Sequence, residues 1–327
     1  MDRFRSIITY TILIIFGLTM VVPFLWMLST SLMTQSEFNK QETLFIPKEE
    51  YHVWNNNGQT ERILLVTDKG DISIIHVLDE DLNITEEYKE VPSSQIEMIR
   101  KKPSFHFANY IKAFKKVPFG LYFYNTIYVS LFSLIGVIFT SLLAAYAFAR
   151  MEFKGRDFFF YLFLSMMMVP QPIYMISSYV LLDKLSWLDT YNALIIPWIA
   201  NIFTIFLFRQ HFKSLPKELF DAASIDGCST FGMLWRIVVP LSKPVIATAS
   251  IFSLISSWNS FMWPLVMINR PELRVLQVGL SYFNQEASTQ TTLLMAASTF
   301  SILPIVILFF FAQKQIIASY SRSGMKD

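Results

Sequence analysis

Six stretches of this chain are apolar on every face rather than on one stripe: residues 6–32, 119–149, 158–182, 191–208, 245–268 and 291–312. A bilayer core about 30 Å thick takes roughly 20 helical residues rising about 1.5 Å each. A buried helix of a large soluble protein would keep a polar face, and "SIITYTILIIFGLTMVVPFLWMLSTSL" at 6–32 keeps none. The pattern predicts an all-α polytopic membrane protein with six transmembrane helices. The first stretch is too long for a signal peptide and has no small-residue cleavage site before the polar region, so it reads as a retained anchor.

Between 33 and 103 the pattern changes. "RILLVTDKGDISIIHVL" (62–78) holds two β-rich runs around Asp68-Lys69-Gly70-Asp71, which predicts a hairpin, and a further strand is expected near 83–92 in "NITEEYKEVP". The segment reads as a small β-rich extracytoplasmic insert between the first and second helices. After it, "FHFANYIKAF" (105–114) has the amphipathic pattern of a lead-in helix lying at the membrane surface. The expected organisation is therefore 1–35 with the first span, 36–103 as the insert, and 104–327 as a five-helix core with a polar loop at 209–243.

Several spans are interrupted, by Pro23, Pro170, Pro172, Pro197, Asn201, Asn259, Pro264 and Pro304. Such breaks persist inside lipid only where protein or a water-filled cavity satisfies the freed backbone groups. They read either as kinks in a packed bundle or as the lining of a translocation path.

Composition agrees with a membrane chain. Only 16% of the residues are charged and mean hydropathy is +0.42, against about 25% charged in soluble domains. The charge is also unevenly placed: 33–103 holds 14 acids and 8 bases, a balance of −6, and the remainder carries +8. Orientation follows from Lys and Arg in the short loops. Thirteen lie on the side that includes both termini and the 209–243 loop, and three (Lys184, Arg270, Arg274) lie opposite. Both termini and that loop are therefore expected in the cytoplasm.

Chemistry is conspicuous by its type. Cys228 is the only cysteine, and the four histidines are scattered without ligand spacing. The sequence has no G-x-x-x-x-G-K-[ST], no G-x-S-x-G and no H-E-x-x-H. No carboxylate sits in mid-span, which argues against an ion-coupled carrier. Six spans without a cytoplasmic output domain argue against a membrane-anchored sensor. Energy for any transport must come from another chain.

The loop "LPKELFDAASIDGCSTFGMLWRIVVPLSKP" (215–244) is the most informative segment. Pro216 suits a first helical position with Ser214 as its cap, and Asp226-Gly227 is a stop with Gly227 left-handed. Ser229 or Thr230 then caps a second helix, "FGMLWRIVV", ending at Pro240. Ala222-Ala223 at the tip of the first helix lets another backbone approach, and Leu219, Phe220 and Ile225 are too apolar for a loop facing only water.

"DAASIDG" followed by "VVPLSKP" resembles the coupling loop of permease subunits of binding-protein-dependent ABC importers, whose pattern is roughly E-A-A-x-x-D-G, about nine residues, then x-L-P-L-x-x-P. Asp221 stands where that family usually has Glu. "AAYAFARMEFKGRDFFF", "MMMVPQPIYMI", "WNSFMWPLVMI", "LRVLQVGLSYF" and "LLMAASTFSILPIVILFFFAQK" resemble the carbohydrate branch, its maltose-type six-span subunit. The likeness covers about 1–35 and 104–327. It implies the ABC importer type I permease fold in the bacterial cytoplasmic membrane. The implied partners are a second permease subunit, two ATP-binding subunits that hold ATP and Mg, and an extracytoplasmic solute-binding protein. The chain itself would be non-catalytic, with no bound cofactor, no metal and no nucleic acid. By the same resemblance Glu218, Asp221, Ala222, Ala223, Asp226 and Gly227 belong to the coupling element. Gln171, Asn201, Trp258, Asn259 and Trp263 are the candidates for a solute pathway, because amide and aromatic side chains suit sugar hydroxyls and rings.

Overall fold

The computed structural model describes residues 2–40, 45–56, 59–68, 70–78, 88–284 and 290–323. It divides into two compact units, Met1–Ala113 with Ala287–Thr299, and Phe114–Glu286 with Phe300–Asp327.

The first unit opens with α1 (Asp2–Ser31), an unbroken helix that carries Pro23 within it. Its large apolar side chains, from Phe4 to Leu28, are exposed along most of its length. A short α2 (Gln35–Lys40) leads to a five-stranded antiparallel sheet. Its strands are β1 (Lys48–Asn56), β2 (Gln59–Asp68), β3 (Ile72–Val77), β4 (Lys89–Pro92) and β5 (Ile96–Pro103), ordered β4-β3-β2-β1-β5. The predicted hairpin is β2–β3, in register Ile63↔Val77 and Leu65↔Ile75, with Gly70 left-handed at φ 91° in its turn. Residues along β3 alternate in burial as the period of two requires, with Ser73, Ile75 and Val77 inward. Ile75 and Val77 join Trp54, Ile63 and Val91 in the sheet's own core. The strand expected at 83–92 is present as β4 from Lys89, and 83–87 lies outside the described residues.

The polar lead-in is also helical, α3 (Ala108–Lys116). Its buried Asn109 donates from Nδ2 to the carbonyls of Ser31 (2.9 Å) and Met33 (2.8 Å), and the Tyr110 and Ser31 hydroxyls lie 2.8 Å apart. These bonds satisfy carbonyls left without intrahelical partners where α1 ends.

The second unit is helical: α4 (Phe119–Arg150), α5 (Arg156–Met166), α6 (Gln171–Lys184), α7 (Tyr191–Ile195), α8 (Ile202–Ser214), α9 (Lys217–Ile225), α10 (Thr230–Met233), a π turn (Leu234–Val238), α11 (Val239–Leu241), α12 (Lys243–Trp258), α13 (Met262–Met267), α14 (Leu276–Ser281) and the greater part of α15 (Thr291–Ser323). Among the described residues four helical segments are long and apolar enough to cross a bilayer: Phe4–Ser31, Phe119–Arg150, Tyr191–Ser214 and Thr291–Phe311. Arg156–Met166 with Gln171–Lys184, and Thr230–Leu241 with Lys243–Trp258, reach that length only across bends of 102° and 81°.

Three of the apolar windows carry a break where the sequence marks an interruption, that of the fourth window within a segment that still has the length of one span. The third breaks at 167–170, before Gln171. The fourth breaks at 196–201, where a 3-10 turn carrying Pro197 ends at Asn201. The fifth breaks at 259–261, between α12 and α13. Proline removes a backbone donor, and asparagine competes for the helix bonds with its own amide.

Among the described residues this unit holds two apolar cores. One gathers Val129, Met175, Leu194, Trp263, Met267 and Val278. The other gathers Leu142, Phe148, Phe160, Phe208, Phe212, Phe220 and Val238. Both contain residues of α4, at opposite ends of that helix.

Candidate functional site

Beside the first of these cores lies a cavity of about 400 Å³, which shares Val129, Leu194, Trp263 and Val275 with it. Its walls include Thr126, Val129, Ser133 and Val137 of α4, and the chain breaks supply much of the rest: Gln171 after the first, Trp198 and Asn201 at the second, Asn259, Ser260 and Phe261 at the third. Irregular backbone at membrane depth is tolerated where it borders a wet cavity, so the breaks and the cavity explain one another.

The lining is uncharged and mixes polar with apolar side chains in near-equal measure. Beside three amides it carries the hydroxyls of Thr126, Ser133, Ser253, Ser256, Ser257 and Ser260, with the aromatic rings of Trp198, Phe261 and Trp263. Some polar groups already serve the fold. Asn201 caps α8, its Oδ1 accepting from the Thr204 N–H and the Thr204 hydroxyl, each at 2.9 Å. Thr126 donates to the Tyr122 carbonyl and accepts from the Leu276 N–H, both at 2.8 Å. Asn259 Nδ2 donates to the Ile255 carbonyl at 3.0 Å. Among the described residues the Gln171 side chain and the hydroxyls of Ser253, Ser256, Ser257 and Ser260 make no hydrogen bond within the chain. These groups are open to a ligand that both donates and accepts.

Of the five residues singled out for a pathway, four line this one cavity: Gln171, Asn201, Asn259 and Trp263. Trp263 is buried, and its indole N–H donates to the Ala193 carbonyl at 2.9 Å, so it offers ring surface rather than a donor. Trp198 meets it edge to face at 5.1 Å. Trp258 is not among the lining residues. It donates to the Ser301 carbonyl at 3.2 Å and packs edge to face on Phe123 at 5.7 Å. The serines of α12 were not singled out from sequence. Ser253, Ser256 and Ser257 recur at three- and four-residue spacing, the signature of one helix face, and Ser260 follows in the break.

The second feature is the element from α9 to α11. Pro216 is the N-cap of α9 rather than its first residue, and Ser214 is not its cap: the Ser214 hydroxyl donates back to the His211 carbonyl at 2.8 Å. The other end closes as the sequence predicts. Gly227 is left-handed at φ 73°, its N–H donates to the Ser224 carbonyl (3.1 Å), and the Cys228 N–H donates to the Ala223 carbonyl (2.9 Å). This pair of bonds is the Schellman closure of a helix. Ser229 then caps α10, accepting from the Gly232 N–H at 3.2 Å.

Helix α9 has two faces. Phe220 and Ala223 are buried within the chain, while Glu218, Asp221, Ala222, Asp226 and Gly227 are exposed. The two alanines therefore do different things: Ala222 is presented outward, and Ala223 seats the helix on its own core. Ile225 is 87% exposed, and Phe231 and Leu219 are exposed nearby, an apolar edge with no cover among the described residues.

Arg150 holds this element's base, and Arg209 braces the helices beneath it. Arg150, the last residue of α4, donates through one terminal nitrogen to the carbonyls of Phe212 (2.5 Å) and Leu215 (2.6 Å), and its guanidinium lies 4.0 Å from the Phe220 ring centre. Arg209 on α8 donates back to the Phe148 carbonyl of α4 (3.2 Å) and to Asp157 Oδ1 (3.0 Å), with its guanidinium 3.7 Å from the Phe160 ring centre. Sequence reading placed both only as loop charges.

Comparison with known proteins gives a consistent picture. Residues 103–322 match the family model described as "Binding-protein-dependent transport system inner membrane component". The arabinooligosaccharides transport system permease protein AraQ of Halalkalibacterium halodurans is 38% identical over 221 residues, covering 67% of this chain and 78% of that one. The fold is similar to a chain in the crystal structure of a bacterial ABC transporter involved in the import of the acidic polysaccharide alginate, with TM-score 0.70 and 21% identity over 96% of each chain. A chain of the bacterial alginate ABC transporter in complex with an alginate pentasaccharide-bound periplasmic protein matches at TM-score 0.52 and 18% identity, over 64% of this chain and 81% of that one.

Proposed function

Because this chain belongs to the family of inner membrane components of binding-protein-dependent transport systems, we propose that it forms, with a second permease subunit, the pathway of a carbohydrate importer. In this reading the chain spans the bacterial cytoplasmic membrane six times, with each bent helix pair accommodated as a broken element and both termini cytoplasmic. An extracytoplasmic binding protein delivers the solute. Two ATP-binding subunits hold ATP and Mg and perform the hydrolysis, and this chain performs none.

The cavity carries the proposal. A sugar presents hydroxyls that both donate and accept, and apolar ring faces, so its recognition calls for amides, hydroxyls and aromatic surface. Gln171, Asn259 and the serines of α12 supply the first two, and Trp198, Phe261 and Trp263 the third. The relatives' names support the solute class, since AraQ is named for arabinooligosaccharides.

Driving force enters through α9. Its outward residues Glu218, Asp221, Ala222 and Ile225, with Asp226 and Gly227 in the turn, form a short helix with an apolar edge, the shape that docks into a partner's groove. ATP bound to the partner subunits favours one of their two arrangements, and docking transmits that preference to the permease. The Asp221 carboxylate has a shorter reach than the glutamate usual at its place, so its partner must stand closer.

The decisive measurement is uptake of labelled oligosaccharides into proteoliposomes holding the whole importer. Gln171→Leu and Asn259→Leu, which remove amides while keeping comparable bulk, are expected to lower uptake while the complex still assembles and hydrolyses ATP. Unchanged uptake for every sugar tested would remove the cavity from the pathway.

A further inference from the structure

Helix α9 touches the cavity nowhere, yet both helices that brace it reach there. On α4, Val137 lines the cavity and Arg150 lies 13 residues later; α8 is 13 residues long, beginning after the cavity residue Asn201 and ending beside Leu215. At about 1.5 Å per residue, each spans about 20 Å between cavity and cytoplasmic loop. Two parallel connections of equal length act as one only if they cannot slide on each other.

We infer that Arg150 and Arg209 form a reciprocal clamp that makes α4, α8 and α9 move as one body, so that a push on α9 arrives at the cavity. This rests on the coupling role proposed above for α9. The geometry is cross-laced: the arginine of α4 binds carbonyls at the end of α8, and the arginine of α8 binds a carbonyl near the end of α4. The Phe148 and Leu215 carbonyls are ones a helix terminus leaves without intrahelical partners, the Phe212 carbonyl has besides only a long bond from the Leu215 N–H (3.4 Å), and a cation there also opposes the negative end of the helix dipole. Asp157 ties the start of α5 into the same lock through Arg209. A slip of one residue along either helix, about 1.5 Å, would stretch charge-assisted bonds of 2.5–3.2 Å beyond bonding distance. Arg209 is 4% exposed and its bond to the Phe148 carbonyl is buried, so water does not replace that bond when it is broken. The face of Arg150 not spent on carbonyls covers Phe220, which is how the clamp includes α9. Arg150 is accordingly a positioning residue and touches no solute.

The test uses the complete importer in proteoliposomes and reads solute moved per ATP hydrolysed, alongside the yield of assembled complex. Arg150→Gln is expected to assemble and hydrolyse ATP, with solute per ATP reduced about tenfold, the size of an ordinary coupling energy. Arg150→Lys keeps the charge without the plane that covers Phe220, and should fall between that variant and wild type. An unchanged ratio in assembled Arg150→Gln overturns the clamp, as does a loss of uptake and hydrolysis in mere proportion to lost complex. Should Arg150→Gln fail to assemble, Phe220→Leu decides: it leaves the carbonyl bonds in place and is expected to reduce the ratio about threefold, and an unchanged ratio overturns the inference. The role of α9 itself is tested separately by Ile225→Asp below, which involves neither arginine.

Discussion

Gly136 and Ile199 meet where the middle of α4 passes the turn that precedes α8. A Cβ placed on Gly136 would stand 2.4 Å from Ile199 Cγ2 and 3.0 Å from its Cβ. The same turn is held by the Thr140 hydroxyl, which donates to the Ile199 carbonyl. The irregular backbone that shapes the cavity is thus pressed against α4 at a point that admits no side chain.

Gly136→Ala should therefore destabilise the chain. Ile199 is β-branched, and its Cγ2 has no flexible stem on which to retreat, so the backbone must move, at a cost of about 1–3 kcal/mol. The thermal midpoint of the purified complex should fall, and adding Ile199→Ala should recover part of the loss. Equal midpoints for wild type and Gly136→Ala would show that α4 and the turn are free to part.

Gly227 poses the opposite case. Its Cβ would meet nothing within 4 Å, but φ is 73°, so the penalty of a side chain is conformational. Gly227→Val should cost roughly 1–2 kcal/mol in the turn and disturb the α9–α10 closure. Asn tolerates the left-handed region, so Gly227→Asn should be mild. Co-purification with the ATP-binding subunits is expected to rank wild type, Asn, then Val; identical yields for all three would remove the turn from the docking surface.

Ile225→Asp separates docking from folding. At 87% exposure the side chain contributes little to this chain's own stability, and such surface changes are usually within about 0.5 kcal/mol. The permease should be produced and inserted at wild-type levels yet lose its ATP-binding partners on purification. Retained partners with full coupling would mean that this apolar edge covers something else.

Asn125 anchors the cavity's other end. Wholly buried, it donates from Nδ2 to the carbonyls of Glu272 (2.8 Å) and Arg274 (2.9 Å) and accepts the Tyr191 hydroxyl at 2.7 Å. Asn125→Leu strands up to three polar groups, at about 1–3 kcal/mol for each that finds no other partner. Tyr191→Phe removes one bond and should cost about 1 kcal/mol. The order of thermal midpoints checks this: Tyr191→Phe must lie above Asn125→Leu.

Sequence alone determined what is local. The apolar windows, the helix ends at Gly227 and Ser229, the β2–β3 hairpin and the breaks near Pro170, Pro197 and Asn259 follow from residues within a few places of each other, whereas Pro23 and Pro304, read as interruptions too, lie inside continuous helices. Pro197, Asn201 and Asn259 weaken a helix wherever it lies, so their effect was legible before any contact was known. Tertiary structure decided which breaks face one another. Gln171, Asn201 and Asn259 are 30 and 58 residues apart, and only the packing of α4, α6, α8 and α12 brings them to one cavity. It also turned Trp258 onto Ser301 while Trp263 lines the cavity, and set Ala223 inward while Ala222 faces out. The reason lies in the spans themselves. A helix that is apolar all round has no stripe to fix its rotation, so its inward face is chosen by close packing, such as Gly136 against Ile199, and by polar groups that must find partners. The arginine clamp is the extreme example, because Arg150 and Arg209 are 59 residues apart in the chain and each finds a carbonyl acceptor at the end of the other's helix, Arg209 with Asp157 of α5 besides.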